Sequence, residues 1–151
     1  MELIKQMECT IPFQSDGSVV KLLVESISRE ERKNFLIAAT SKKKNIESNG
    51  KSNMLETVDF DKLNTSIIRR AVKGWSGLKN KHLPIIYDCK EKANEWSYFG
   101  DGKRETEIPY SEDQKRELSN VHSDNFMTML NLFLDDIDDA NAEAKEAELK
   151  N

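Results

Sequence analysis

Asp59-Phe60-Asp61-Lys62-Leu63-Asn64-Thr65-Ser66-Ile67-Ile68-Arg69-Arg70-Ala71-Val72-Lys73-Gly74-Trp75-Ser76-Gly77 is the stretch on which the fold turns. Within it Phe60, Leu63, Ile67, Ile68, Ala71, Val72 and Trp75 recur at three- and four-residue steps. Side chains so spaced share one face of a helix, which predicts an amphipathic helix from Asp59 to Lys73. Trp75 extends that apolar face to its end, and Gly74 or Gly77 supplies the positive φ that turns the chain away.

Working outward toward the N-terminus, Met7, Cys9, Ile11 and Phe13 alternate with polar residues or Pro12, and Val20, Leu22 and Val24 alternate with their neighbours. That two-residue period predicts two half-buried strands. Gln14-Ser15-Asp16-Gly17-Ser18 lies between them and carries an Asp-Gly turn, so the strands form an antiparallel hairpin, with Pro12 suited to a sheet edge. Ser28-Arg29-Glu30-Glu31 is a capping-box pattern that opens a helix reaching Thr40, with Phe35, Leu36 and Ala39 toward the sheet. Residues 41–53 are lysine-rich and poor in large apolar side chains, which predicts a flexible surface loop.

Downstream, Leu83-Pro84-Ile85-Ile86-Tyr87 and Glu95-Trp96-Ser97-Tyr98-Phe99 flank a charged stretch and read as short strands or an ordered loop. Ser111-Glu112-Asp113-Gln114 is a second capping-box pattern, starting a helix to Asn120. A last helix begins near Ser123. Phe126, Leu130, Phe133, Leu134 and Ile137 line one face, with Met127, Met129 and Leu132 widening it. Beyond Ile137 the chain keeps helix propensity but has few apolar anchors, so it projects or frays. The resulting expectation is an α+β, mostly helical fold: an N-terminal antiparallel β-hairpin, then a small helical bundle with a long C-terminal helix. Its single domain covers 1–137, including the loop 41–53 and an irregular insertion 78–107, and an acidic tail covers 138–151.

With 151 residues, 37% hydrophobic and 33% charged, the chain suits one domain with a modest core. No apolar run approaches the roughly 18 residues of a membrane span. The N-terminus lacks the features of a secretory signal, which gives a cytoplasmic expectation. The net charge is −4. Residues 135–151 hold seven acids against Lys145 and Lys150, a net of −5, which leaves +1 for residues 1–134. A near-neutral body with an acidic tail is not the balance of a protein held to nucleic acid by phosphate contacts.

Chemistry-bearing motifs are sparse. His82 and His122 stand apart and read as surface or cap residues, while Cys9 and Cys89 form no close pair and read as packing residues. The run Asp135-Asp136-Ile137-Asp138-Asp139 lacks the glycine and closing glutamate of a calcium loop. Gly100-Asp101-Gly102-Lys103 is too short to cradle a phosphate. No catalytic residue, cofactor or metal site is expected, and the chain does not read as an enzyme. Trp96, Tyr98 and Phe99 beside Lys103 and Arg104 fit a protein contact better than stacking on bases, given the charge balance.

The leading hairpin with Asp16-Gly17-Ser18, the apolar helix ending in Val72-Lys73-Gly74-Trp75-Ser76-Gly77, and Ile108-Pro109-Tyr110-Ser111-Glu112 opening a further helix together resemble tail assembly chaperones of long-tailed, siphovirus-like bacteriophages. The likeness spans most of residues 7–135. It departs from the pattern in the thirty or so residues between Gly77 and Ile108 and in the lysine-rich loop. What the resemblance implies is a non-enzymatic protein of the host cytoplasm that binds the phage tape-measure protein, keeps it soluble and promotes assembly of tail-tube protein. Trp75, Trp96, Phe126, Met127, Met129 and Phe133 are then the candidate partner-binding residues, since aromatics and methionines make adaptable anchors. Self-association fits the same role. The alternatives are a structural tail or neck component of the virion, whose hairpin pairs edge to edge in a ring, and a small regulator binding single-stranded nucleic acid.

Overall fold

A computed structural model describes residues 3–14, 16–87, 102–120 and 124–150. The N-terminal hairpin forms as the alternation requires. β1 (Gln6–Pro12) and β2 (Val19–Glu25) pair antiparallel, with Met7 opposite Val24, Cys9 opposite Leu22 and Ile11 opposite Val20. One face of the hairpin is therefore continuous and apolar, and Cys9, Ile11, Val20, Leu22 and Val24 are all buried there. Ser28 caps α1 (Arg29–Ala39) by accepting the Glu31 N–H at 3.1 Å, as the capping pattern predicts. Of the three residues expected toward the sheet, Ala39 is buried and Phe35 half-buried, but Leu36 is exposed.

Residues 41–53 correct the expectation of a flexible loop. Instead β3 (Thr40–Ile46) and β4 (Ser52–Val58) form an antiparallel ribbon, registered from Thr40 opposite Val58 to Ile46 opposite Ser52. Its turn closes through the Glu47 N–H to Lys51 O at 2.8 Å and the Gly50 N–H to Glu47 O at 3.0 Å, with Gly50 at φ 83°. Backbone pairing needs no apolar face, so a segment without the burial pattern still zips into strands.

The decisive stretch is also corrected. Asp59 caps α2 (Phe60–Ala71) by accepting the Lys62 N–H, but the helix stops two residues short of Lys73. Val72–Ser76 is a strand, β5, pairing antiparallel with β2 so that Leu22 faces Trp75 and Lys21 faces Ser76. Trp75 therefore belongs to a sheet, not to the helix face. Steps of three and four residues carry the apolar pattern past Ala71, where a strand takes over with Val72 already buried, so periodicity alone cannot mark the boundary. Phe60, expected on the buried face, is 63% exposed. The glycine that is required by the turn is Gly77. It adopts φ 76°, and a Cβ there would lie 2.8 Å from Val19 O, so any side chain meets the β2 backbone.

After β5 a 3₁₀ turn (Asn80–His82) runs into a five-residue helix α3 (Leu83–Tyr87), where strands or a loop were expected. α4 (Glu112–Asn120) begins at Ser111, whose hydroxyl accepts the Gln114 N–H at 3.0 Å. α5 (Asp124–Lys150) is one continuous helix of 27 residues. Among the described residues the fold is thus α+β with two antiparallel sheets, which corrects the expectation of a mostly helical chain with one hairpin and a small helical bundle. The fold consists of a three-stranded sheet ordered β1-β2-β5, helices packed on its apolar face, and a separate two-stranded ribbon. One core joins the three-stranded sheet to the helices, built from alternate residues of β1 and β2 with Ile68, Ala71, Leu78, Leu83, Ile108, Leu130, Leu134 and Ile137, and the ribbon stands outside it. The three-stranded sheet needs the helices because its single apolar face would otherwise meet water.

Candidate functional site

The two short motifs that frame the sequence meet in space. Trp75 on β5 donates its Nε1–H to Ile108 O at 2.8 Å, and its ring stands edge-on to Tyr110 with centroids 4.8 Å apart. Lys115, one turn into α4, is buried and reaches beneath the same junction. Its Nζ donates to Arg69 O and Val72 O, each at 3.1 Å, and pairs with Glu112 at 3.0 Å. Three ammonium donors meet three oxygens, so the charge is buried without an orphan, and the carbonyls at the end of α2 are satisfied where the chain changes to strand. Burial pushes the Tyr110 hydroxyl above its ordinary pKa, reinforced by its hydrogen bond to Glu112. A small apolar void of about 20 Å³ lies beside the junction among Ile11, Leu22, Ile68, Trp75, Leu83 and Phe126. Its volume is at the scale of a single water, and it offers no room for a substrate.

A second cluster resembles catalytic machinery and is wired the wrong way for it. Of the two placements expected of it, surface or cap, His82 takes the cap: it is buried and stacks on Phe13 with centroids 4.3 Å apart while capping the 3₁₀ turn. Its Nδ1 accepts the Lys79 N–H at 3.0 Å, so the remaining proton sits on Nε2, which donates to Ser18 Oγ at 2.9 Å. Ser18 in turn donates to Asp16 Oδ1 at 2.6 Å. In a nucleophilic serine the imidazole must accept the hydroxyl proton. Here the hydroxyl proton points at Asp16, and the imidazole has no lone pair left for it. Lys81 completes the group, reaching Asp16 at 2.8 Å and Glu105 at 2.9 Å. Hydrogen bonds from Lys81 and Ser18 hold the Asp16 carboxyl well below the usual carboxylate range, while desolvation by burial, then the Lys81 charge, lowers His82. The cluster is a clasp tying the β1–β2 turn to the 3₁₀ turn and to residues 102–107.

The six proposed contact residues fare differently. Phe126 and Met127 are buried core side chains, and Trp75, Met129 and Phe133 are partly buried against the same core. Phe126 and Met127 therefore serve the core of the folded chain. Trp96, with Cys89 and His122, lies outside the described residues. Cys9 is a buried free thiol whose pKa is raised by desolvation and then by Asp136. Among the described residues, no group of three or more histidines, cysteines and carboxylates could hold a metal ion, and no helix is long and apolar enough to cross a membrane.

Six of the eleven exposed large apolar residues among those described lie at the ribbon and its base. Ile37 in the last turn of α1 and Phe60 at the start of α2 are 60% and 63% exposed, and Leu36 is exposed beside Ile37. They flank the point where the Asp59 N–H donates to Ala39 O at 2.8 Å, which ties the two helices together under the ribbon. On the ribbon Ile46 is 71% and Met54 60% exposed, with Leu55 also open to solvent. An isolated apolar side chain on a surface means little, but Leu36, Ile37 and Phe60 gather at the base of the ribbon and mark one candidate surface, while Ile46 and Met54 share one face of the ribbon itself. Sequence reading assigned Leu36 and Phe60 to the core and passed over the rest, since only the tertiary contacts say which apolar residues stay uncovered. No protein-family model, curated protein or solved structure matches the chain.

Proposed function

We propose that this protein is a non-enzymatic assembly chaperone of the phage-tail type, binding the tape-measure protein in the host cytoplasm, keeping it soluble and promoting recruitment of tail-tube subunits. The observation that carries the reading is the exposed group Leu36, Ile37 and Phe60 at the ribbon base. A long helical partner shows apolar stripes until its assembly encloses them, and an apolar patch on a firmly packed scaffold can cover such a stripe. Two further features support it. Two of the three motifs behind the resemblance, those around Trp75 and Tyr110, form one structural junction through the Trp75–Ile108 hydrogen bond and the Trp75–Tyr110 contact. The direction of the hydrogen bonds from His82 to Ser18 to Asp16 supports the non-catalytic part of the reading.

Co-expression with the tape-measure protein of the same genome tests it. The wild-type chain is expected to hold that partner soluble and co-purify with it, and Ile37→Glu combined with Phe60→Glu is expected to lose both effects while remaining folded, since both positions face solvent. A tape-measure protein equally soluble without this chain would overturn the proposal, as would undiminished binding by the double variant.

A further inference from the structure

The ribbon and the far end of α5 are matched to one another, yet the ribbon's own packing partner is α1. Residues 40–58 carry four lysines against Glu47 and Glu56, a net of +2. Cross-strand pairing puts Lys42 opposite Glu56, to which it pairs at 3.5 Å, Lys44 opposite Met54 and Ile46 opposite Ser52, so one face of the ribbon presents Lys42, Lys44, Ile46 and Met54 together, at a net of +1 with Glu56. All four are exposed. Along α5, Leu132, Asp135, Asp139, Glu146 and Leu149 follow one another at helical steps and are exposed as well. They lie opposite the face that buries Leu130, Leu134 and Ile137, so none of them packs into the core, and Glu146 pairs only with its helix neighbour Lys150 at 3.6 Å among the described residues. Seven strand residues extend roughly 23 Å at ~3.3 Å each, and the helical stripe from Leu132 to Leu149 extends roughly 26 Å at ~1.5 Å per residue. The two surfaces agree in length, carry opposite charge, and each includes apolar side chains that water would otherwise surround.

We propose that the protein associates with a second copy of itself by laying the lysine-bearing face of the β3–β4 ribbon along the acidic outer face of the partner copy's α5. Each chain carries both surfaces, so the contact can be made twice in a closed pair. The charges align the copies and set a salt dependence, and Ile46, Met54, Leu132 and Leu149 supply the apolar burial. Such a state requires nothing of the tape-measure protein, because the ribbon face and the base patch are separate surfaces.

Sedimentation equilibrium of the full chain, read at low and high salt, gives the test. The wild-type chain is expected to self-associate at 50 mM salt and to weaken at least tenfold in affinity at 500 mM. Lys42→Glu with Lys44→Glu, and separately Asp139→Lys with Glu146→Lys, are each expected to weaken association at least tenfold, with circular dichroism unchanged. An equimolar mixture of the two double variants is expected to associate again, since the reversed ribbon then faces a reversed helix and the two unaltered surfaces face one another. A wild-type chain that stays monomeric at 100 μM overturns the proposal. Association indifferent to either variant, or variants that weaken without recovering in the mixture, overturns it equally.

Discussion

The described residues contain two hairpins of equal strand length, and they are stable for different reasons. In β1–β2 the inward residues Cys9, Ile11, Val20, Leu22 and Val24 are covered by helices, and β5 pairs along the second edge of β2. In β3–β4 every residue from Ser41 to Thr57 is exposed, and both strands are edges. The first pair is locked in register because a one-residue slip would turn its apolar set to water. The second is held by its ladder, its Asn49-Gly50 turn and its attachment to α1 and α2, and a lone two-stranded ribbon is marginal in water. Identical backbone geometry thus serves as foundation in one case and as a presented surface in the other.

The sharpest way to break that contrast is a matched pair of truncations. Leu22→Ala in the covered hairpin is expected to cost about 3 kcal/mol through lost burial and a residual cavity. Leu55→Ala in the ribbon is expected to stay within about 0.5 kcal/mol, as exposed sites do. Equal losses in urea unfolding would mean that the ribbon is as tightly packed as the sheet. Glycines give a second pair. Gly77→Ala forces a positive φ and a 2.8 Å approach to Val19 O, with an expected loss of about 2 kcal/mol in global stability. Gly50→Ala also forces a positive φ, but it meets nothing within 4 Å. Its cost of about 1 kcal/mol should appear as faster amide exchange confined to residues 40–58, leaving the global melting temperature unmoved.

Smaller effects sharpen the description of the covered region. Trp75→Phe keeps an aromatic ring against Tyr110 but removes the donor to Ile108 O, with an expected loss of about 1 kcal/mol. Unchanged stability would show that water replaces the indole N–H without cost. The clasp gives a pH signature. Because the folded state holds His82 below its ordinary pKa of 6.5, the unfolded chain takes the proton first as pH falls. Stability is therefore full above about pH 6.5 and declines below it until the folded-state imidazole itself titrates. Asp16 adds a further loss below its ordinary value of 3.8, because its carboxyl is held still lower in the folded chain. Urea midpoints at pH 7.5, 6.0 and 5.0 should fall for the wild-type chain, and His82→Gln should flatten the decline across that range.

Local chemistry made part of this structure readable. The β1–β2 hairpin was legible because burial imposes a two-residue alternation, and the starts of α1 and α4 were legible because Ser28 and Ser111 cap backbone N–H groups within four residues. The ribbon was not, since a strand without a buried face leaves no alternation to detect. Trp75 was placed on the wrong element because helix and strand share one apolar run across Ala71 and Val72. The candidate surface was the least readable part: Ile37, Ile46, Met54 and Phe60 have the composition of core residues, and nothing local to them announces exposure.

Sequence by itself determined the first hairpin with its turn, the capped helix starts and the start of the acidic C-terminal helix's apolar face, because each follows from interactions between residues a few positions apart. Tertiary structure alone decided that Val72–Ser76 adds a third strand and that Lys115 closes the end of α2. It alone decided that His82 donates to Ser18 instead of accepting from it, and that the apolar residues around the ribbon stay uncovered. Those outcomes depend on contacts between segments tens of residues apart, whose geometry no local period encodes.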